Sequence, residues 1–488
     1  MATSTDLFLS RLFISITKGA ILKMKKLFLL PLAVFFLVAV GLNSFAEEKA
    51  LTLSASEKLL FNFDFIPVVL TASPDGKRIA YATRVEGKQF VIVDGKAQKR
   101  YDGIGSNVVF SPDSKRSAYR AQVGNKQVVV IDGQEGKRYD TVGSNIVFSP
   151  DSQRVAYAAK TGKRCFIVVD GKEGKSYEGG IGSNIVFSPD SKKIAYGVLS
   201  DKKQFVVVDQ QEGTHYDSIG NNIVFSPDSR RMAYQAQSDK KRFLVVDGRE
   251  GKRYDDVRGD FVFSPDGKQV AYVVKSAGKW QVVVDEQEGK YYDGIGDDIF
   301  FSPDSSRIAY QAQSDKKRFL VVNGQEGKGY ERIGSTIVFS PDSKKVAYIA
   351  QIVNGKFASV IDGQEGKPYN NIGNGSLVFS PDSKRVAYAA QSGQKRFVVV
   401  DGKEGKHYDG VGSYTLVFSP DSTKIVYVAQ AENKQIAVVN GKAGEKEVNK
   451  YNSIVALGKK GFAFETSDRF RFLAVKEKSV YSVEVKIN

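Results

Sequence analysis

Nine positions, each five residues before a proline, carry Asn107, Asn145, Asn184, Asn222, Asp260, Asp298, Thr336, Ser376 and Thr415. One residue earlier stand Ser106, Ser144, Asn221, Asp297 and Tyr414 in their own copies. Amides, hydroxyls and carboxylates in such a series can grip a peptide by hydrogen bonds. The acidic group Asp260, Asp297 and Asp298 can also attract a cation. The same residue types cap connections between elements, because short polar side chains bond nearby backbone.

Other side chains with chemical potential are scattered. His215 and His407 are the only histidines, and without clustered acids they make no zinc site. Cys165 is the single cysteine, so no internal disulfide can form. Trp280 replaces a Gln or Arg, and Arg258-Gly259-Asp260 spells an adhesion tripeptide in an ordinary connection. No Gly-x-Ser-x-Gly elbow, Walker loop or HExxH occurs, so neither an enzyme nor a cofactor is expected.

What must position these residues is a repeat. Ser-Pro-Asp recurs with its proline at 74, 112, 150, 189, 227, 265, 303, 341, 381 and 420, in steps of 38 to 40 residues. Such a period marks solenoids, propellers or arrays. In the copy at Asn145 the pattern predicts strand a at 146–149, a turn at Pro150-Asp151-Ser152, and strand b at 155–159. Strand c follows at 166–169, then an Asp170-Gly171 hairpin and a short strand d near 175–177. Strand c is apolar on both faces and strand b alternates alanine with larger residues, so sheets must pack face to face closely. Four antiparallel strands per 38–40 residues is a β-propeller blade, and the fold class is all-β.

Ser-Pro-Asp-(Gly/Ser)-Lys-(Arg/Lys)-(Val/Ile)-Ala-Tyr, followed by Val-Val-Val-Asp-Gly, resembles the WD40-like repeat of TolB-type propellers across residues 67–440. The resemblance implies that strand a is innermost and that the polar positions ring a mouth of the central channel. It also implies a role in the bacterial envelope. Two departures stand out. Only Asp75-Gly76 and Asp266-Gly267 keep the family's Asp-Gly, the other eight copies having Asp-Ser. About 20 residues separate signal and repeats, too few for the helical N-terminal domain of TolB itself.

The expected organisation runs from a signal peptide at 1–46, with Met24 as the true start, through a lead-in strand at 47–66 to ten repeats at 67–452. A degenerate closing repeat follows at 453–488, whose four apolar stretches are expected to be strands a to d. Lys25-Lys26, the apolar run 27–42 and the small residues Ser44 and Ala46 have the pattern of a cleaved signal. A periplasmic or secreted protein with no membrane span after cleavage is therefore expected. Eleven units exceed the usual four to eight blades, so the array closes as one large ring or as two propellers. No Pro/Ser-rich tether divides it, which favours one ring.

The net charge is +16, and the basic residues are spread through the turns of every repeat rather than gathered in one run. Such a surface admits an anionic envelope polymer as partner but predicts no specific nucleic-acid site. The reading reached is an exported non-catalytic scaffold that binds a protein or peptide. The alternatives are polymer binding through the basic surface and a metal-dependent enzyme at the acidic rim.

Overall fold

The computed structural model describes residues 51–62, 70–105, 107–441, 444–455 and 461–488. The predicted signal peptide and start lie outside these residues. What is described is all β apart from one 3-10 turn at Val353–Gly355.

Eleven antiparallel sheets form eleven blades arranged in a ring. Blade 3 shows the plan, with strands a (Thr141–Phe148), b (Val155–Thr161), c (Arg164–Val169) and d (Lys172–Glu173) pairing in that order. Blades 1 to 10 are numbered by their Ser-Pro-Asp turns. Eleven hydrophobic clusters each join one blade to the next, the last joining Leu473 and Val480 to Ile79 and Tyr81 of blade 1. That closure gives one ring rather than two propellers.

Blade 11 differs from the expected plan. Ser453–Val455 and Ala463–Thr466 both pair with Arg469–Lys476, so two stretches read as strands a and b together form a broken strand a. Arg469–Lys476 is strand b, Ser479–Ile487 is strand c, and strand d is Leu53–Asn62 from the other end of the chain. The lead-in strand is therefore the clasp of the ring. Sequence periodicity could not show this, because an edge strand's partner leaves no local mark.

The alanines of strand b do what their size suggests. Ala118, Ala156, Ala233, Ala309 and Ala347 are completely buried between blades, each against the wall of the next sheet. Opposite them stand tyrosine pairs such as Tyr139 and Tyr157, edge to face at 6.4 Å.

Three polar ties lie over these cores. In the Ser-Pro-Asp turn, Ser149 donates to Asp151 at 2.5 Å and the Gln153 N–H donates to the same carboxylate at 3.0 Å. The serine after each Asp sits at positive φ, 64° at Ser152, which strains a non-glycine residue. Its hydroxyl accepts the N–H of the preceding blade's Asp, as Ser152 does from Asp113 at 2.9 Å. All eight Asp-Ser copies make this bond. This accounts for the departure from Asp-Gly. At Gly267, where φ is +74°, there is no hydroxyl and the bond is missing, and a Cβ there would displace the Asp228 carboxylate, which lies within 2.6 Å of it.

The second tie is an arginine wedge. Arg116 binds Asp132 at 3.0 Å and the Gln153 carbonyl of the next blade at 2.8 Å, lying over Phe148. The third is a lysine latch, in which Lys137 reaches Glu173 of the next blade at 2.7 Å. The pattern repeats as Lys252–Glu288 and Lys328–Glu365, with Tyr254 and Tyr330 donating to the same carboxylates at 3.0 Å. Glu57 plays this part in the clasp, accepting from Tyr451 at 2.8 Å and pairing with Lys476 at 2.5 Å. Between blades 4 and 5 the latch position is Thr214 and the wedge position is Lys193. Among the described residues, no other junction within blades 1 to 10 lacks both ties.

One core residue breaks the rule. Gln281 is completely buried on strand c of blade 6, and neither amide atom has a partner among the described residues. Six other blades place Phe90, Phe166, Phe205, Phe243, Phe319 or Phe397 there. An unsatisfied buried amide costs about 1–3 kcal/mol. Gln281→Leu should therefore raise stability by about that amount, read as a higher melting temperature. An unchanged or lower melting point would mean that the amide is satisfied in solution.

Candidate functional site

From blade 2 to blade 9 strand a lies beside strand a of the next blade, so the first strands form the inner wall of the ring. In blades 3 to 8 this strand begins earlier than its sequence pattern suggests. Thr141 and Val142 pair with Lys160 and Ala159, and the ladder resumes at Ile146 opposite Tyr157. Three residues, Gly143, Ser144 and Asn145, thus oppose one, forming a bulge that turns polar side chains off the ladder. In blades 2, 9 and 10 strand a is broken at the same place. The predicted polar positions therefore lie within strand a, about midway along it. The Gly180-Ile181-Gly182-Ser183 stretch of blade 4 is itself the start of the strand.

Asn107 and Asn145 are exposed, whereas Asn184 and Asn222 are half-buried. The Asn184 amide donates to the Asn221 carbonyl of the next blade at 2.5 Å. Asp260, Asp297 and Asp298 are exposed on adjacent blades 6 and 7. A cleft of about 540 Å³ runs from blade 5 to Asp260, lined by Asn221, Asn222, Gln235 and Arg242. The amide and carboxylate groups of this sector are thus brought together.

The other predicted positions separate. Thr336 accepts the Gly375 N–H at 2.9 Å. Ser376 is fully buried, donating to the Gly373 carbonyl at 2.6 Å and accepting the Ala389 N–H at 3.0 Å. It caps backbone and offers nothing to a ligand. Thr415 repeats that cap with Gly412 and Val428. Tyr414 is 63% exposed with φ of 62°, and its ring lies across Gly375, where a Cβ would approach within 1.9 Å.

The singular residues of blade 6 prove to be packing. Arg258 donates to the Ile295 and Gly296 carbonyls at 2.7 and 3.0 Å, meets Asp297 at 3.2 Å, and stacks on Trp280 at 4.5 Å. The tripeptide it begins is thereby strapped across two blades, and Trp280 is covered by cations. Arg258 stands where most copies have glycine, a departure visible in the sequence whose meaning needed the neighbouring blade. His215 and His407 stack on Phe205 and Phe397, each 3.9 Å from the glutamate three residues before it. No group of three or more potential metal ligands occurs among the described residues. None of their helices is long and apolar enough to cross a membrane.

No protein-family model matches the chain, and no curated protein matches it either. Among solved structures it is similar to a eukaryotic initiation factor, with 15% identity and a TM-score of 0.38 over 68% of this chain and 96% of that one. It is also similar to the Dos1 propeller, with 12% identity and a TM-score of 0.32 over 62% and 91% of the two chains. A third likeness is to the dihydro-heme d1 dehydrogenase NirN, with 13% identity and a TM-score of 0.30 over 58% and 70%.

Proposed function

We propose that this chain is an exported, non-catalytic docking scaffold of the bacterial cell envelope, akin in role to TolB-type propellers. A protein or peptide segment would dock on the inner wall at blades 5 to 7. One observation carries the reading: the polar bulge recurs around the ring while its side chains differ from blade to blade. Residues needed by every blade repeat in every blade, whereas a partner-specific surface must vary. The cleft with Asn221, Asn222 and Asp260, beside Asp297 and Asp298, offers acceptors and negative charge to a basic or amide-rich segment.

The test is capture of envelope proteins on the full chain through a salt gradient, beside the triple variant Asp260→Asn, Asp297→Asn, Asp298→Asn. These side chains are exposed, so the variant should melt like the parent. One protein retained by the parent at high salt and lost by the variant is the expected result. Retention of acidic polymer alone, released at modest salt, would move the function to the basic surface.

A further inference from the structure

A second cleft in the inner wall has the opposite chemistry. It spans blades 8 to 10, holds about 470 Å³, and falls in the size range of small-molecule sites. Its floor is apolar, with Ile333, Ile349, Ile372 and Val411 all nearly fully buried. Arg332 and Arg396 both line it, with the amides of Asn371 and Gln391 beside them, and no carboxylate does.

Neither guanidinium has an ion pair or hydrogen bond among the described residues. This contrasts with the wedge arginines and with Arg258, although Arg318 at the same strand position of blade 7 is likewise without an acidic partner among the described residues. Arg242 of blade 5 occupies the same strand position as Arg396 and is neutralised by Asp256 of the next blade at 2.5 Å. In the corresponding place beyond Arg396 stands Gly410, and Arg332 itself replaces that acid at the start of blade 8. The wedge arginines, such as Arg385 with Asp401 at 2.8 Å, are likewise paired. Two guanidiniums without an acidic partner thus stand over an apolar floor, and their planar forks match a carboxylate.

We infer that the cleft of blades 8 to 10 binds a small organic carboxylate with an apolar body, its carboxylate held by Arg332 and Arg396. This goes beyond docking at blades 5 to 7, and either can fail without the other. The probe is 4-phenylbutyrate, titrated calorimetrically into the full chain beside its uncharged amide and inorganic phosphate. One molecule of the carboxylate should bind per chain, and neither the amide nor phosphate should compete with it. Arg332→Ala and Arg396→Ala should each weaken binding about tenfold or more, the loss expected for one charge-assisted contact. Both arginines are exposed, so unchanged melting curves should accompany the loss. Absence of binding at millimolar probe, equal binding of the amide, displacement by phosphate, or intact binding in both variants would overturn the assignment.

Discussion

Deleting Leu51–Asn62 is expected to open the ring. This segment pairs along nearly its whole length with Ser479–Ile487 and is the only source of strand d in blade 11. Leu51, Leu53 and Leu60 also leave the clusters on the two sides of that blade. Leu51 is nearly fully buried and Leu53 and Leu60 partly so, and full burial of one aliphatic side chain is worth about 1.5–3 kcal/mol. The strand left behind presents a long unpaired edge carrying Val480, Val483 and Val485, a template for pairing with another chain. The deleted protein should elute as oligomers in size-exclusion chromatography with light scattering, and should be cut by protease within blade 11. Glu57→Ala is the graded companion. It strands the Tyr451 hydroxyl and the Lys476 ammonium, and should lower stability by about 1–3 kcal/mol while leaving a monomer. A monomeric deletion variant melting like the parent would show that the clasp is dispensable.

Stability should also collapse in acid, more steeply than in a protein without repeated turns. Asp113, Asp151, Asp190, Asp228, Asp266, Asp342 and Asp382 all have their carboxyl groups held below the usual range, first by the serine hydroxyl two residues earlier and then by a backbone N–H. Glu173, Glu212, Glu288, Glu326 and Glu404 are lowered chiefly by the lysine of the preceding blade. A carboxyl group depressed by folding takes up its proton later in the folded chain than in the unfolded one. Its contribution is therefore whole above the unfolded values of about 3.9 for Asp and 4.3 for Glu, and is lost as pH falls below them. Melting temperature should be flat from about pH 7 to pH 5.5 and drop steeply below about pH 4. The exposed members contribute little singly, so one Asp151→Asn change should move the curve far less than the pH change does. A melting temperature unaltered at pH 2.5 would exclude the turns and latches as a source of stability.

Much of this architecture was legible because the repeat states it ten times over. The Ser-Pro-Asp turns and the apolar c strands follow from local chemistry that each copy confirms, and the Asp-Gly hairpins from chemistry that most copies share. The polar wall positions were legible as a series, since Asn107 through Thr415 share one register. Their depth was not, because the bulge depends on pairing between Val142 and Ala159, which glycine-rich composition conceals. Ser376 and Asp298 occupy the same register, yet one is buried under its own backbone and the other is exposed. A break in strand a decides between them. The clasp was illegible for a different reason: Glu57 and Lys476 lie 419 residues apart, and nothing near either one names its partner. The blade 8 to 10 cleft was hidden likewise, since an unpaired arginine is recognised only when the neighbouring blade is seen to lack its acid.

The uneven junctions of the ring have a mechanical meaning. A closed circle of nearly equal contacts has no preferred point of yielding, and any distortion is shared among all its joints. Here the joint between blades 4 and 5 keeps its serine bridge, from the Asp190 N–H to Ser229, but has neither latch nor wedge. That joint is also lined by Gly197, Ile219 and Asn221, the last of which reaches into the amide-lined cleft at Asp260. A change of width at that joint would be felt directly in the wall of the cleft beside it.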